Sequence, residues 1–147
     1  MMPQAGDDKK RVFISYAHED KAFASELGNL MMKRGASVFS DTDLTPGSLW
    51  SDVLRREIEQ ATALVLIIPT HHVANRNHVW FEAGAAKALG KPVLAVLPPK
   101  HESGTVDLPT DIAGLLVLDA DRRSLESVAD TLLQAVPGKS AEAAAAI

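Results

Sequence analysis

Apolar positions along this chain fall in two periods, and the switches between them mark successive strands and helices. Arg11-Val12-Phe13-Ile14-Ser15-Tyr16 is a β-branched and aromatic run, read as a buried strand. His18-Glu19-Asp20 then opens a helix whose Phe23, Leu27, Leu30 and Met31 recur at i, i+4, i+7 and i+8, one face of a 3.6-residue repeat. Lys33 and Arg34 suit its C-terminal end and Gly35 stops it. Ala36 to Ser40 forms a second short strand, and Pro46-Gly47 marks the turn that follows. Ser48 is placed to cap a helix with Trp50, Leu54, Ile58 and Ala61 on its core face, and Trp50 is assigned to the core. Ala63 to Ile68 is continuously apolar, as expected of a strand covered on both faces of a parallel sheet. Lys91 to Leu97 and Leu115 to Leu118 read as the fourth and fifth strands. Leu125, Val128 and Leu132 mark a last helix, ended by Pro137-Gly138. Strands alternating with helices predict an α/β fold: a five-stranded parallel sheet, helices on both faces, right-handed crossovers.

The stretch from Asn77 to Gly90 departs from that regularity. Asn77 suits an N-cap and Gly90 the position just past a helix end, with Lys87 at the negative end of the dipole. Between them the helix carries one acid, Glu82, directly after Trp80 and Phe81 and before Ala83-Gly84-Ala85-Ala86. The small residues let the helix lie close to a sheet. The helix N-terminus favours the ionised acid by about 0.3–1 kcal/mol, and an anion beside aromatic surface suits a planar cation. The plainer alternative is a solvated helical acid. In parallel sheets ligands bind beyond the carboxyl ends of the strands. That rule gathers Tyr16, the 41–47 loop and Glu82 at one rim.

Composition narrows the chemistry. At 147 residues one domain is expected, burying roughly two-thirds of the surface its unfolded chain exposes. Residues 1–10 read as a disordered leader, 11–137 as the domain, and 138–147 as a flexible Ala-rich tail or linker. The chain has no cysteine, so disulfides, thiolate metal sites and Cys nucleophiles are excluded. No apolar run approaches the ~18 residues of a membrane span, and the leader lacks the apolar core of a signal peptide. The cytoplasm is the expected location. A net charge of −4 disfavours nucleic acid and anionic membrane as direct partners. His71, His72 and His78 have no companion acid or cysteine set, so no metal is expected. Ser15 to Asp20 lacks the glycines of a dinucleotide or phosphate loop, and no Gly-x-Ser-x-Gly elbow exists.

Three blocks in order now resemble a TIR (Toll/interleukin-1 receptor) domain of the bacterial kind, over about residues 10 to 136. They are Val12 to Tyr16 with its acidic helix start, Val38 to Asp41 leading to Leu44-Thr45-Pro46-Gly47, and Val79-Trp80-Phe81-Glu82 with its small-residue helix. The resemblance implies a flavodoxin-like sheet. It also implies cleavage of NAD at the nicotinamide–ribose bond, with Glu82 as catalytic acid residue, and signalling or defence through self-association with other TIR domains. NAD is then substrate, and no cofactor is required. In that family a Trp commonly stands four residues before the acid. Here that position holds His78, and Trp80 stands two before it.

Chemistry supports a single carboxylate. Glycosidases use two because a sugar oxygen must be protonated as it leaves. The nicotinamide of NAD is already cationic and leaves neutral, so only the ribosyl cation needs stabilising. Around Glu82 the expected substrate contacts are Tyr16, Asp41, Leu44, Gly47, His78, Trp80 and Phe81. Asp41 reads as a ribose-hydroxyl contact or a loop cap, Tyr16 as base stacking or core, and Leu44 to Gly47 as a lid or an ordinary turn. Two other readings stand beside the enzyme. One is a non-catalytic module acting through TIR–TIR contacts. The other is a nucleoside deoxyribosyltransferase-like protein, which also uses a Glu before a small-residue run.

Overall fold

The computed structural model describes residues 10–40, 50–68, 77–99 and 117–138, with His18, Trp50, Ser51, Asn77, His78 and Trp80 described by backbone alone. Five strands form one sheet: β1 (Arg11–Ser15), β2 (Ser37–Phe39), β3 (Ala63–Ile67), β4 (Val93–Leu97) and β5 (Val117–Asp119). Four α-helices connect or flank them: α1 (Lys21–Lys33), α2 (Trp50–Gln60), α3 (Asn77–Ala88) and α4 (Leu125–Ala135). The strand order is β2-β1-β3-β4-β5 and every pairing is parallel. The expected flavodoxin-like sheet is therefore present.

Alternation along the strands divides the core into two layers. Val12, Ile14 and Tyr16 of the first strand and its end join Ala63, Val65 and Ile67 against Leu27 and Met31 of α1 and Val128 and Leu132 of α4. Phe13 joins Leu64, Leu66 and Ile68 on the other face, against Leu54 and Ile58 of α2 and Val79, Ala83 and Ala86 of α3. The strand β3, apolar at every position, is buried at every position. Polar side chains add contacts at the margins of the sheet and between α1 and α4. Thr62 Oγ1 accepts from the Arg11 N–H at 3.0 Å and donates to the Arg11 carbonyl at 3.1 Å, extending the β1–β3 ladder by one step. Arg34 Nε meets Asp130 Oδ1 at 2.5 Å between α1 and α4, and Lys10 Nζ donates to the Leu133 carbonyl.

Both expected glycine stops are confirmed. Gly35 and Gly90 have φ of 95° and 75°. Each helix closes with a Schellman pair: Ala36 N–H to the Met31 carbonyl (3.1 Å) and Gly35 N–H to Met32 (3.0 Å), then Lys91 to Ala86 (2.9 Å) and Gly90 to Lys87 (3.0 Å). This closure also explains why β4 starts at Val93 rather than Lys91. The Lys91 N–H is spent on the helix end, and Pro92 has none to give. The first helix starts later than its acids suggest. His18–Asp20 is a 3-10 turn closed by the Asp20 N–H on the Ala17 carbonyl at 2.8 Å, and α1 begins at Lys21. The fourth helix has a cap the sequence reading did not name: Ser124 Oγ accepts from the Ser127 N–H at 3.1 Å.

Candidate active site

In this strand order β1 and β3 are neighbours from which the chain winds outward in opposite directions, a topological switch point. Ser15 is the last residue of β1 and pairs with Leu66 of β3, so it sits at the carboxyl ends of both strands. The helix α3 follows β3 and packs on β3, β1 and β4. Among its described side chains Val79, Glu82, Ala83 and Ala86 are buried, spaced i, i+3, i+4 and i+7. An acid thus occupies a core position of the helix.

Glu82 is 0% exposed and Ser15 1%. Ser15 Oγ donates to Glu82 Oε1 at 2.5 Å, a short hydrogen bond. At that burial Glu82 is not the solvated helical acid of the plainer alternative, and isolating a carboxylate from water costs several kcal/mol. The helix dipole contributes less than the sequence suggested. Glu82 is the sixth residue of α3, whose first turn has no acid, and the dipole effect fades within that turn. The hydroxyl of Ser15 is a fixed donor to Glu82. A buried carboxylate interacts with a nearby positive charge several times more strongly than one in water.

The other expected contacts divide. Tyr16 is one residue beyond Ser15 and therefore on the opposite face, 6% exposed in the α1/α4 core. There it also lines a 260 Å³ pocket with Ile14, Gly28, Asn29, Val38 and Ser40. Phe81 is 57% exposed and lies in an apolar groove of 340 Å³ between α2 and α3, with Leu54, Ile58, Ala85 and Leu89. One residue turns a helix by ~100°, which separates Phe81 from the direction of Glu82. Asp41, Leu44 and Gly47 lie outside the described residues, as do the side chains of His78, Trp80 and Trp50. Among the small residues, Ala83 and Ala86 lie against the sheet. Gly84 does not, since a Cβ there would meet no heavy atom within 4 Å. Ser15 is the contact that the sequence reading passed over. Its signal was a hydroxyl at an inward position, in step with Phe13, at the end of an apolar strand.

Among the described residues no group of three or more His, Asp or Glu stands together as a metal site. No helix among them is long and apolar enough to cross a membrane. Among the described residues the site presents one desolvated carboxyl, that of Glu82, at the carboxyl end of the sheet.

The family model described as TIR domain matches residues 12–133. No curated protein matches the chain. Among solved structures, the Clostridium botulinum CMP N-glycosidase BcmB superposes with a TM-score of 0.57 at 19% identity, covering 84% of this chain and 98% of its own. The RPS4 and RRS1 TIR domain heterodimer gives 0.57 at 19% identity, over 87% and 96%. The TIR domains of the activated Roq1 resistosome, which recognises the effector XopQ, give 0.53 at 19% identity, over 86% and 72%. At that identity these three likenesses establish the shared fold. With the family match spanning nearly the whole sheet and its helices, the chain belongs to the TIR domain family.

Proposed function

We propose that this TIR domain cleaves the nicotinamide–ribosyl bond of NAD. The C1′–N bond breaks, its electron pair neutralises the pyridinium, and nicotinamide leaves without needing a proton. Water then captures the ribosyl cation and loses a proton, giving ADP-ribose. Capture by an adenine nitrogen gives a cyclic ADP-ribose instead. The observation that carries this reading is the buried Glu82 carboxylate at the switch point, held by Ser15. It supplies the one thing the reaction demands, a fixed negative charge facing a developing cation. The likeness to an enzyme of CMP N-glycosidic bonds supports the bond class. Loss of nicotinamide from NAD needs no proton, whereas the pyrimidine of CMP departs as an anion unless it is protonated. The absence of cysteine suits action in the cytoplasm, where signalling or defence through NAD consumption would take place.

A substrate comparison tests this. Purified domain at high concentration is given NAD or CMP, and the products are separated by chromatography. Free nicotinamide from NAD, with CMP intact, supports the reading. Cytosine from CMP with NAD untouched replaces it by a nucleotide glycosidase.

A second reading rests on a different observation. Phe81 and Leu89, 57% and 40% exposed, flank the apolar α2–α3 groove. Such a patch suits contact with another protein, and TIR domains of similar fold occur in a heterodimer and a resistosome. We propose that copies of this domain associate and that association raises catalysis.

A further inference from the structure

We propose that Ser15 is the positioning residue of the Glu82 site, an inference that rests on the glycosidic reading for its kinetic consequence but not for its geometry. A glutamate has three side-chain torsions, and freezing them against thermal motion costs entropy. The helix that carries Glu82 fixes only its Cα. The carboxylate itself needs a partner that does not move. Ser15 meets that need through its backbone. It lies at the end of β1, which is hydrogen-bonded to β2 on one side and β3 on the other. Ser15 is 1% exposed and its hydroxyl lies 2.5 Å from Oε1, so water does not compete for the bond. A hydroxyl so placed would be a liability among Phe13, Leu64 and Leu66 if it had no acceptor. The pair is mutually required: the serine satisfies a buried acceptor, and the acid satisfies a buried donor.

The consequence is orientation. Electrostatic stabilisation of a transition state depends on charge already in place, with no reorganisation during the reaction. Catalytic groups must be held within about 0.5 Å of the productive geometry. Ser15 anchors one carboxylate oxygen to the sheet. Ser15 does not touch substrate in this scheme; it acts through Glu82.

The test pairs kinetics with a readout that needs no substrate. Ser15→Ala is expected to lower kcat for nicotinamide release about tenfold to a hundredfold, the range for a lost hydrogen bond to a charged group. KM should stay within about twofold, because ground-state binding is not what the bond serves. Ser15→Thr should restore most of kcat; Ser15→Cys, a weaker donor, serves if the extra methyl destabilises the fold in a thermal melt. Independently, NMR of the wild type should show a slowly exchanging Ser15 hydroxyl proton, and Glu82→Ala should speed its exchange. An unchanged kcat in Ser15→Ala, or a hydroxyl that exchanges freely in the wild type, overturns the proposal. A protected hydroxyl in a wild type that leaves NAD intact overturns the NAD reading and upholds the Ser15–Glu82 anchor.

Discussion

Ser15 Oγ and Glu82 Oε1 stand 2.5 Å apart although 67 positions separate them in the chain, and both side chains are shut off from water. The bond joins the end of the strand at the switch point to the helix that follows its neighbour. Burying the acid there carries a desolvation cost.

Glu82→Gln keeps the shape of the side chain and an oxygen that accepts from Ser15, but removes the charge. Nicotinamide release should fall about a hundredfold to a thousandfold, the scale for losing one preorganised electrostatic group. The thermal midpoint should hold or rise, because desolvating the charge costs several kcal/mol. Initial rates and a melt on the same preparation check both halves. A variant that is fully active, or that unfolds, contradicts the assignment of Glu82 as a site residue maintained against stability.

Phe81→Glu addresses association separately from chemistry. The side chain is more than half exposed, so the fold should survive with a melt shifted by no more than about 2 °C, the scale of a surface change. In the wild type, activity per molecule should rise with concentration. In the variant it should be low and flat, and sedimentation should show a single monomeric species. A wild type whose specific activity is constant from dilute to crowded solution speaks against the α2–α3 groove as a switch.

Two glycines in or just after α3 should respond with opposite signs. Gly84→Ala adds a methyl where no heavy atom lies within 4 Å, and removes helix-interior glycine; it should stabilise by about 1 kcal/mol, or ~2–4 °C. Gly90→Ala must adopt φ of 75°, which costs a side-chain-bearing residue about 1–2 kcal/mol, so its midpoint should drop. Melting curves of both variants decide it. Equal shifts in one direction contradict the helix-end geometry.

Asp130→Asn breaks the ion pair with Arg34, whose side chains are 31% and 55% exposed. Solvent screening limits such a pair to under about 1 kcal/mol. The small loss should vanish in high salt. A loss of several kcal/mol in chemical denaturation would show that the α1–α4 seam depends on this pair rather than on Leu27, Met31, Val128 and Leu132.

The sheet was legible because its signals are local. Continuous burial of Ala63 to Ile67 follows from an unbroken apolar run, and Gly35 and Gly90 announced their helix ends. Glu82 stood out for a similar reason, as one acid at the head of a small-residue helix. What escaped depended on direction in space. Ser15 looked like an ordinary strand polar residue until the alternation of Phe13 and Ser15 was set against α3. Phe81 looked like part of the anion's surroundings, but a neighbour in sequence on a helix points elsewhere, and α2 supplied it with a groove. Tyr16 followed the same rule on a strand: next to Ser15 in the chain, it lies across the sheet from Glu82.

The role proposed for Glu82 is to drive cleavage of a glycosidic bond through its buried carboxylate. Its most direct test is nicotinamide release from NAD by wild-type domain and Glu82→Gln, both confirmed folded, side by side at high concentration. The wild type should release nicotinamide, and the variant should lose about two orders of magnitude or more of that rate. Equal release by both proteins, or none by a folded and concentrated wild type, would contradict it.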